Sequence, residues 1–275
     1  MTRSYRTSQS MLNADFVIHP VPILTDNYVW ILVHNQDAWI IDPGEAAPVA
    51  QFCHSHGLMP KAILLTHLHQ DHWAGVAPLL EHYPVPVLGP GGMPASIARL
   101  IAHQLAAGDT VSMAERTWQV VALPGHTPEH IGFYLPGAPG HLSPGHLFSG
   151  DTLFSFGCGR AFYSVEQLFT SVNWIKNLPA NTCIYPTHEY TAANWRFARA
   201  VEPDNPHILT FAERLPHISP ANPSLPVVLA DELNRNPFLR CGHKSVQKAA
   251  GLASGSSINC DLDVFSALRS WKNVF

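Results

Sequence analysis

Three imidazoles and a carboxylate fall within six consecutive positions of one stretch, His67-Leu68-His69-Gln70-Asp71-His72. One histidine in a loop is ordinarily just a polar residue, but this density directly after an apolar run points to metal chemistry. Residues 61–66 (KAILLT) read as a short buried strand. The ligand-bearing residues follow at its carboxyl end, in the crevice that α/β folds use for ligands. His67 and His69 can converge on one ion from an extended or turning backbone, whereas Asp71 and His72 face another direction. Two ions suit that division, because two-metal hydrolases hold their ions roughly 3.5–4 Å apart.

After Trp118 the chain repeats one arrangement, an apolar strand that ends in a potential ligand. Residues 119–123 run into Pro124-Gly125-His126, residues 146–149 into Gly150-Asp151, and residues 183–185 into Pro186-Thr187-His188. Each alone is an ordinary polar loop residue; with the first stretch they complete a set of seven: His67, His69, Asp71, His72, His126, Asp151 and His188. Seven ligands suffice for two ions that share Asp151 as a bridge and leave room for a bridging water. Two zinc ions are the expected cofactor, with iron or manganese able to replace one or both, since His and Asp ligands accept all three.

The elements that must position these residues follow from hydrophobic period and turn signals. Strands are expected at 16–24, 28–33 and 38–41, with turns at Asn35-Gln36-Asp37 and Asp42-Pro43-Gly44, and again at 85–88. Helices are expected at 48–56, 75–83 and 165–178, and an amphipathic one at 96–107, ended by Gly108 and leaving His103 in solvent. After Tyr190 strand alternation is not expected to return. Helical spacing occupies 192–201, 207–215, 227–234 and 264–275, with prolines between. Val264, Leu268, Trp271 and Phe275 form one apolar stripe on the last helix, with Asp263 as its N-cap. Residues 244–261 are rich in Gly and Ser after their first turns and are expected to be mobile. The chain thus divides into an α/β domain, 1–190, and a small all-α domain, 191–275.

Composition narrows the function. With 46% hydrophobic and 13% charged residues, the 275-residue chain is a compact globular protein. Sixteen basic against twenty acidic residues, with no basic run, leave nothing to neutralise a phosphate backbone, so nucleic acid is excluded as a partner. No apolar run approaches the roughly 20 residues of a membrane span. The N-terminal residues carry arginines but no apolar core, so they read as a frayed tail and not a secretory signal. Five scattered cysteines without a CxxC argue against disulfides and thiolate zinc, and place the protein in a reducing cytoplasm. A monomer is expected. His54, His56, His82, His103, His141, His146, His207, His217 and His243 have no ligand-like spacing and are read as ordinary residues.

THLHQDH at 66–72, GH at 125–126, GD at 150–151 and THEY at 187–190, in this order, resemble the metallo-β-lactamase superfamily. Gly157-Cys158-Gly159-Arg160, Thr187-His188-Glu189-Tyr190-Thr191, Asn236-Pro237-Phe238 and the terminal stretch from Ala267 to Phe275 look more narrowly like the glyoxalase II family of hydroxyacylglutathione hydrolases. The superfamily resemblance implies a four-layered αββα sandwich with its dimetal site at the edge of two sheets. It also implies one ion on His67, His69 and His126, another on Asp71, His72 and His188, and Asp151 bridging both. The narrower resemblance implies glutathione contacts from Arg160, Tyr190, Arg269 and Lys272. Phe162 stands where that family often has an aromatic hydroxyl, so a hydrogen bond to substrate is missing there.

The implied reaction is hydrolysis of S-(2-hydroxyacyl)glutathione thioesters, S-D-lactoylglutathione giving D-lactate and glutathione, as in methylglyoxal detoxification. Neither Cys158 nor any serine lies in a nucleophile elbow, so no catalytic side chain is expected. A metal-bridging hydroxide is the expected nucleophile, since zinc lowers the pKa of bound water to about 7. Thiols have a pKa of about 8.5, so glutathione can leave without a strong general acid. Rival readings are a mononuclear iron persulfide dioxygenase, which would leave Asp71, His72 and His188 unused, and a phosphodiesterase, which the lack of a basic surface opposes. A non-catalytic metal-binding scaffold is a third.

Overall fold

The structure is a computed structural model that describes residues 16–138 and 143–275; the N-terminal tail and His141 lie outside these residues. Strands β1 (Val17–Ile23), β2 (Asn27–His34) and β3 (Asp37–Ile41) form an antiparallel meander. Helix α1 (Ala46–Ser55) then crosses to β4 (Met59–Leu64), which pairs parallel with β3. Helix α2 (Val76–His82) leads to β5 (Val87–Pro90), and the single turn α3 (Ala95–Ala98) to β6 (Ile101–Leu105), completing a sheet ordered β1-β2-β3-β4-β5-β6.

The second sheet begins with β7 (Thr110–Met113), β8 (Arg116–Ala122), β9 (Ile131–Leu135) and β10 (His146–Gly150). A small hairpin, β11 (Leu153–Phe154) with β12 (Gly157–Cys158), precedes α4 (Val165–Lys176) and β13 (Cys183–Pro186). Helices α5 (Thr191–Val201) and α6 (Pro206–Thr210) follow, then β14 (Val227–Val228), α7 (Leu229–Arg235), α8 (Lys244–Ser254) and α9 (Asp261–Val274). The second sheet runs β14-β13-β10-β9-β8-β7.

Alternation along β2 shows why the layers stack. Val29 and Ile31 face Val49 and Cys53 of α1 and Leu79 of α2, while Tyr28, Trp30 and Leu32 join Trp118, Phe133 and Phe148 of the second sheet. With period 2, one strand feeds two cores. Outside the second sheet, α4 is capped by Ser164, whose hydroxyl accepts from the Gln167 N–H, and contributes Leu168, Val172 and Ile175 to that core. The result is the expected four-layered αββα sandwich.

Local structure departs from expectation where pairing outweighs periodicity. The apolar spacing of 96–107 suits a helix, yet the chain makes one turn and then lays β6 along β5, pairing Val87 with Ile101 and Leu88 with His103. An open strand edge at β5 offers backbone hydrogen bonds that helical propensity alone does not outweigh. Val227 and Val228 likewise pair with Ile184 and Cys183 before α7 starts, so a strand does return after Tyr190. Of the segment expected to be mobile, 244–261, the first part folds as α8, ended by Gly255 at a φ of 63°. On α9 the N-cap is Cys260, and Asp263 sits at N3, its carboxylate accepting from the Asn259 and Cys260 N–H groups at 2.9 and 3.3 Å.

The helical region grips the β11–β12 hairpin by its backbone. Asn236 Nδ2 donates to the carbonyls of Phe154 and Gly157 at 3.1 and 3.0 Å, and Asn194 Nδ2 to that of Ser155 at 3.1 Å. The Phe156 N–H donates to the buried Glu232 carboxylate at 2.7 Å. Val264, Phe265 and Leu268 of α9 share one continuous core with both sheets. Replacing Asn236 with alanine strands buried carbonyls, so Asn236→Ala should lose about 1–3 kcal/mol in urea unfolding. A change below roughly 0.5 kcal/mol, the range of an inert surface substitution, would show that the clasp is not required.

Candidate metal centre

Each ligand loop begins where a strand ends. His67 and His69 follow β4, Asp71 and His72 lie in a 3₁₀ turn just beyond (Gln70–His72), and His126, Asp151 and His188 follow β8, β10 and β13. Two of these exits need glycine. Gly150 has a φ of 47°, and a Cβ there would lie 2.6 Å from Thr66 Oγ1 and 2.7 Å from His130 Nε2. Gly125 has a φ of 127°, and a Cβ would collide with the backbone of Leu168. The Gly-His and Gly-Asp pairs in the sequence are therefore tight turns that aim the next side chain inward.

All seven residues converge. His67, His69, His126 and Asp151 can place one ligand atom each within 4.8 Å of one another, and so can Asp71, His72 and His188. His69 Nδ1 lies 3.0 Å from His67 Nε2 and 2.9 Å from His126 Nε2. Asp151 Oδ2 is 3.4 Å from both His126 Nε2 and His188 Nε2, while its Oδ1 is 3.5 Å from His72 Nε2. One carboxylate thus touches both groups. His72 Nε2 and Asp151 Oδ1 are buried with no hydrogen-bond partner, and such orphaned acceptors fit a dinuclear metal centre.

Outer groups fix the imidazoles. Asp42 accepts from His72 Nδ1 at 3.0 Å and also from the Thr66 N–H and hydroxyl, at 2.8 and 2.7 Å. Asp26 lies 3.0 Å from His188 Nδ1, and the Arg160 carbonyl 2.8 Å from His126 Nδ1. Each such contact selects the tautomer that turns the other nitrogen to an ion. His130 is buried and stacks on His67 with centroids 4.7 Å apart, while its Nε2 accepts the Asp151 N–H at 3.1 Å. Sequence reading misses Asp26, Asp42 and His130. A signal existed for Asp42, which ends the apolar strand Ala38-Trp39-Ile40-Ile41 just as the ligands end theirs, and His130 lies four residues beyond His126.

Burial and neighbouring charge set the protonation of the bare cluster. Burial depresses His67 and His130 well below the usual imidazole range. For Asp151 burial acts upward, but His188 and His72 hold the carboxyl well below its usual range. Burial alone would depress His188, yet Asp151, aided by Asp26, pushes it up to about 9.

A cavity of about 540 Å³ opens onto the cluster. Phe154, Cys158, Arg160, Phe162, Tyr190, Arg269 and Lys272 line it beside His69, Asp71, His126, Asp151 and His188. Tyr190 stacks on His188 at 4.6 Å with the rings 5° apart. Phe162, 62% exposed, sets its ring edge-on to His69 and His126.

Residues 24–188 match the Metallo-beta-lactamase superfamily, and 189–275 match the family described as Hydroxyacylglutathione hydrolase C-terminus. A hydroxyacylglutathione hydrolase of Nitrosomonas eutropha is 40% identical over 264 residues, covering 94% of this chain and 98% of the relative. The chain belongs to the hydroxyacylglutathione hydrolase family. Its sandwich is shared more widely. The BLEG-1 B3 metallo-beta-lactamase superposes with a TM-score of 0.59 at 22% identity, covering 81% of this chain and 99% of that one. TTHA1623, solved in a di-iron-bound form, gives a TM-score of 0.52 at 29% identity, covering 62% and 91%.

Within this hydroxyacylglutathione hydrolase fold the two C-terminal cations differ. Arg269 is buried and donates Nη1 to the carbonyls of Cys158 and Gly159 at 3.0 and 3.3 Å, and Nη2 to Asn273 Oδ1 at 3.2 Å. Lys272 Nζ reaches the Ala193 carbonyl at 3.4 Å and lies over the Phe197 and Phe275 rings. Burial, with Arg269 and Arg196 nearby, pushes Lys272 down to about 8.

The raised His188 predicts how ions bind. Below about 9 the ring carries a proton that an incoming cation must displace. Affinity should therefore fall as pH drops, by roughly tenfold per unit for each proton displaced. Calorimetry of zinc binding at pH 7 in buffers of different ionisation heat should show protons released; zero release would contradict this assignment. Asp151→Ala should lose both ions, because it removes the carboxylate common to both groups.

Proposed function

We propose that this protein hydrolyses S-(2-hydroxyacyl)glutathione thioesters, S-D-lactoylglutathione giving D-lactate and glutathione, with a pair of zinc ions as cofactor. The observation that carries this reading is one cavity lined by His69, Asp71, His126, Asp151 and His188 of the seven-residue cluster together with Arg160, Tyr190, Arg269 and Lys272. In this reading His67, His69 and His126 hold one ion, Asp71, His72 and His188 the other, and Asp151 both. Bound divalent ions would supply an activated water and a Lewis acid for the thioester carbonyl.

The chain's own residues do the rest. Cys158 is no rival nucleophile, because burial pushes its thiol up to about 11 and keeps it protonated at neutral pH. Burial likewise raises the Tyr190 phenol, leaving a neutral hydroxyl that can donate to substrate. The thiolate of glutathione is a good enough leaving group that no strong general acid is needed. In this reading Lys272 and Arg160 meet glutathione's carboxylates, while Arg269, which lines the same cavity, is also bonded to the Cys158 and Gly159 carbonyls. Phe162 offers an apolar wall in place of a hydroxyl. A mononuclear dioxygenase would leave the complete second group of Asp71, His72 and His188 without a role. The five free thiols accord with a reducing cytoplasm, and we infer a monomer there.

Elemental analysis should find close to two ions per chain in active enzyme. A charged hydrogen bond is worth about 1.5–3 kcal/mol, so Lys272→Ala should raise KM roughly tenfold to a hundredfold and spare kcat. A small thioester without carboxylates should not sense the change. Because Lys272 titrates at about 8, kcat/KM for the glutathione thioester should decline as pH rises through that value. Absence of glutathione thioesterase activity in protein carrying two ions would refute the function. Cys158→Ala should keep most activity; a trapped acyl-cysteine would refute hydrolysis by water.

A further inference from the structure

Glu129 lies on the loop between His126 and His130, yet it reaches across to the other sheet's ligand loop. Its Oε1 accepts the N–H of Leu68 at 2.7 Å and the hydroxyl of Thr127 at 3.0 Å. Leu68 is the residue between His67 and His69, and its carbonyl accepts from Trp73 Nε1 at 2.8 Å. The short segment joining two ligands is thus held at both its polar groups by side chains. The Ile131 N–H adds a second tie between the same loops, donating to the Thr66 carbonyl at 2.9 Å. The other carboxylate oxygen of Glu129 is buried with no partner among the described residues.

An ionised carboxylate is costly to desolvate, and an unpaired oxygen adds to that cost. What offsets part of it is the pair of hydrogen bonds that its Oε1 accepts, from the Leu68 N–H and the Thr127 hydroxyl. The ligands involved explain why such a bond matters. His67 and His69 come from the first sheet and His126 from the second, so the 2.9 Å between His69 and His126 depends on how two separate layers are joined. Core packing fixes the sheets, but loops beyond the strand ends need their own tie.

We propose that Glu129 is a positioning residue. It ties the His67–His69 segment to the His126 loop, so that the group of His67, His69, His126 and Asp151 is assembled before an ion arrives. The group of Asp71, His72 and His188 does not depend on it. The inference rests on the dinuclear reading of the cluster, and the test separates the two.

Metal-free wild type, Glu129→Ala and Glu129→Gln are titrated with zinc against a chelator, and with cobalt(II) followed by its visible absorption. Glutamine keeps an amide oxygen for the Leu68 N–H but removes the charge. Alanine should weaken one ion about 10- to 100-fold and leave the other within about threefold, the range expected for losing an outer partner of a metal site. Glutamine should restore the weakened ion to within about threefold, and the cobalt spectrum of that ion should change in alanine but not in glutamine. Glu129→Asp, too short to reach Leu68, takes the place of alanine if that variant does not fold. Wild-type affinity for both ions in the alanine variant would overturn the proposal. Equal weakening of both ions would overturn it as general loosening, and glutamine as weak as alanine would overturn it as a charge effect. Wild type that binds no ion would instead sink the metal assignment itself.

Discussion

A carboxylate buried among imidazoles, Asp151 against His72, His126 and His188, is the constraint to which the rest of the structure answers. Such a group is expensive in a protein interior unless its oxygens are neutralised and bonded. Here the neutralising groups come from strand ends in both sheets, so the cluster can form only if the sandwich closes in register. Packing in turn depends on the cluster: at the sheet edge the apolar core gives way to polar side chains, and those chains need one another or an ion. The outer ring of Asp26, Asp42 and the Arg160 carbonyl carries the same logic one layer out, giving the Nδ1 atoms of His188, His72 and His126 a partner.

The site was largely legible in the sequence because its chemistry is local. Strand, tight turn and cluster residue are adjacent along the chain, and four of the seven clustered residues lie in one stretch. What could not be read depends on approach through space. Asp26 meets His188 across 162 positions, and nothing near either residue announces the contact. The fold was legible where a short apolar run ends in turn residues, as at β2, or where burial imposes a helical period, as in α4. It was misread at β6, where the apolar spacing fits a helix and only the free edge of β5 decides otherwise. The same holds for β14, two valines whose role is to pair with β13.

Arg269 and Lys272, the two glutathione contacts that the resemblance implies on the last helix, line the same cavity but are held differently. Arg269 is buried and holds backbone, whereas Lys272, with one bond of 3.4 Å to the Ala193 carbonyl, is left to the cavity. Guanidinium suits the first task, since its fixed fork of donors can hold two carbonyls and a side-chain amide together. An ammonium on a flexible stem, less tightly committed, suits the second.

The helical region therefore acts on the cluster without contributing a residue to it. Asn194, Glu232, Asn236 and Arg269 all grip the backbone between Ser155 and Gly159 or the residue just before it. That short segment starts just past Asp151 and ends at Arg160, whose carbonyl orients His126. Side-chain-to-backbone bonds hold a loop whatever its own side chains are. The hairpin can therefore vary its cavity-facing residues, Phe162 beyond it included, while its path between Asp151 and Arg160 stays fixed. The lining of the cavity and the geometry of the cluster are in this way separable in sequence though they share one stretch of chain.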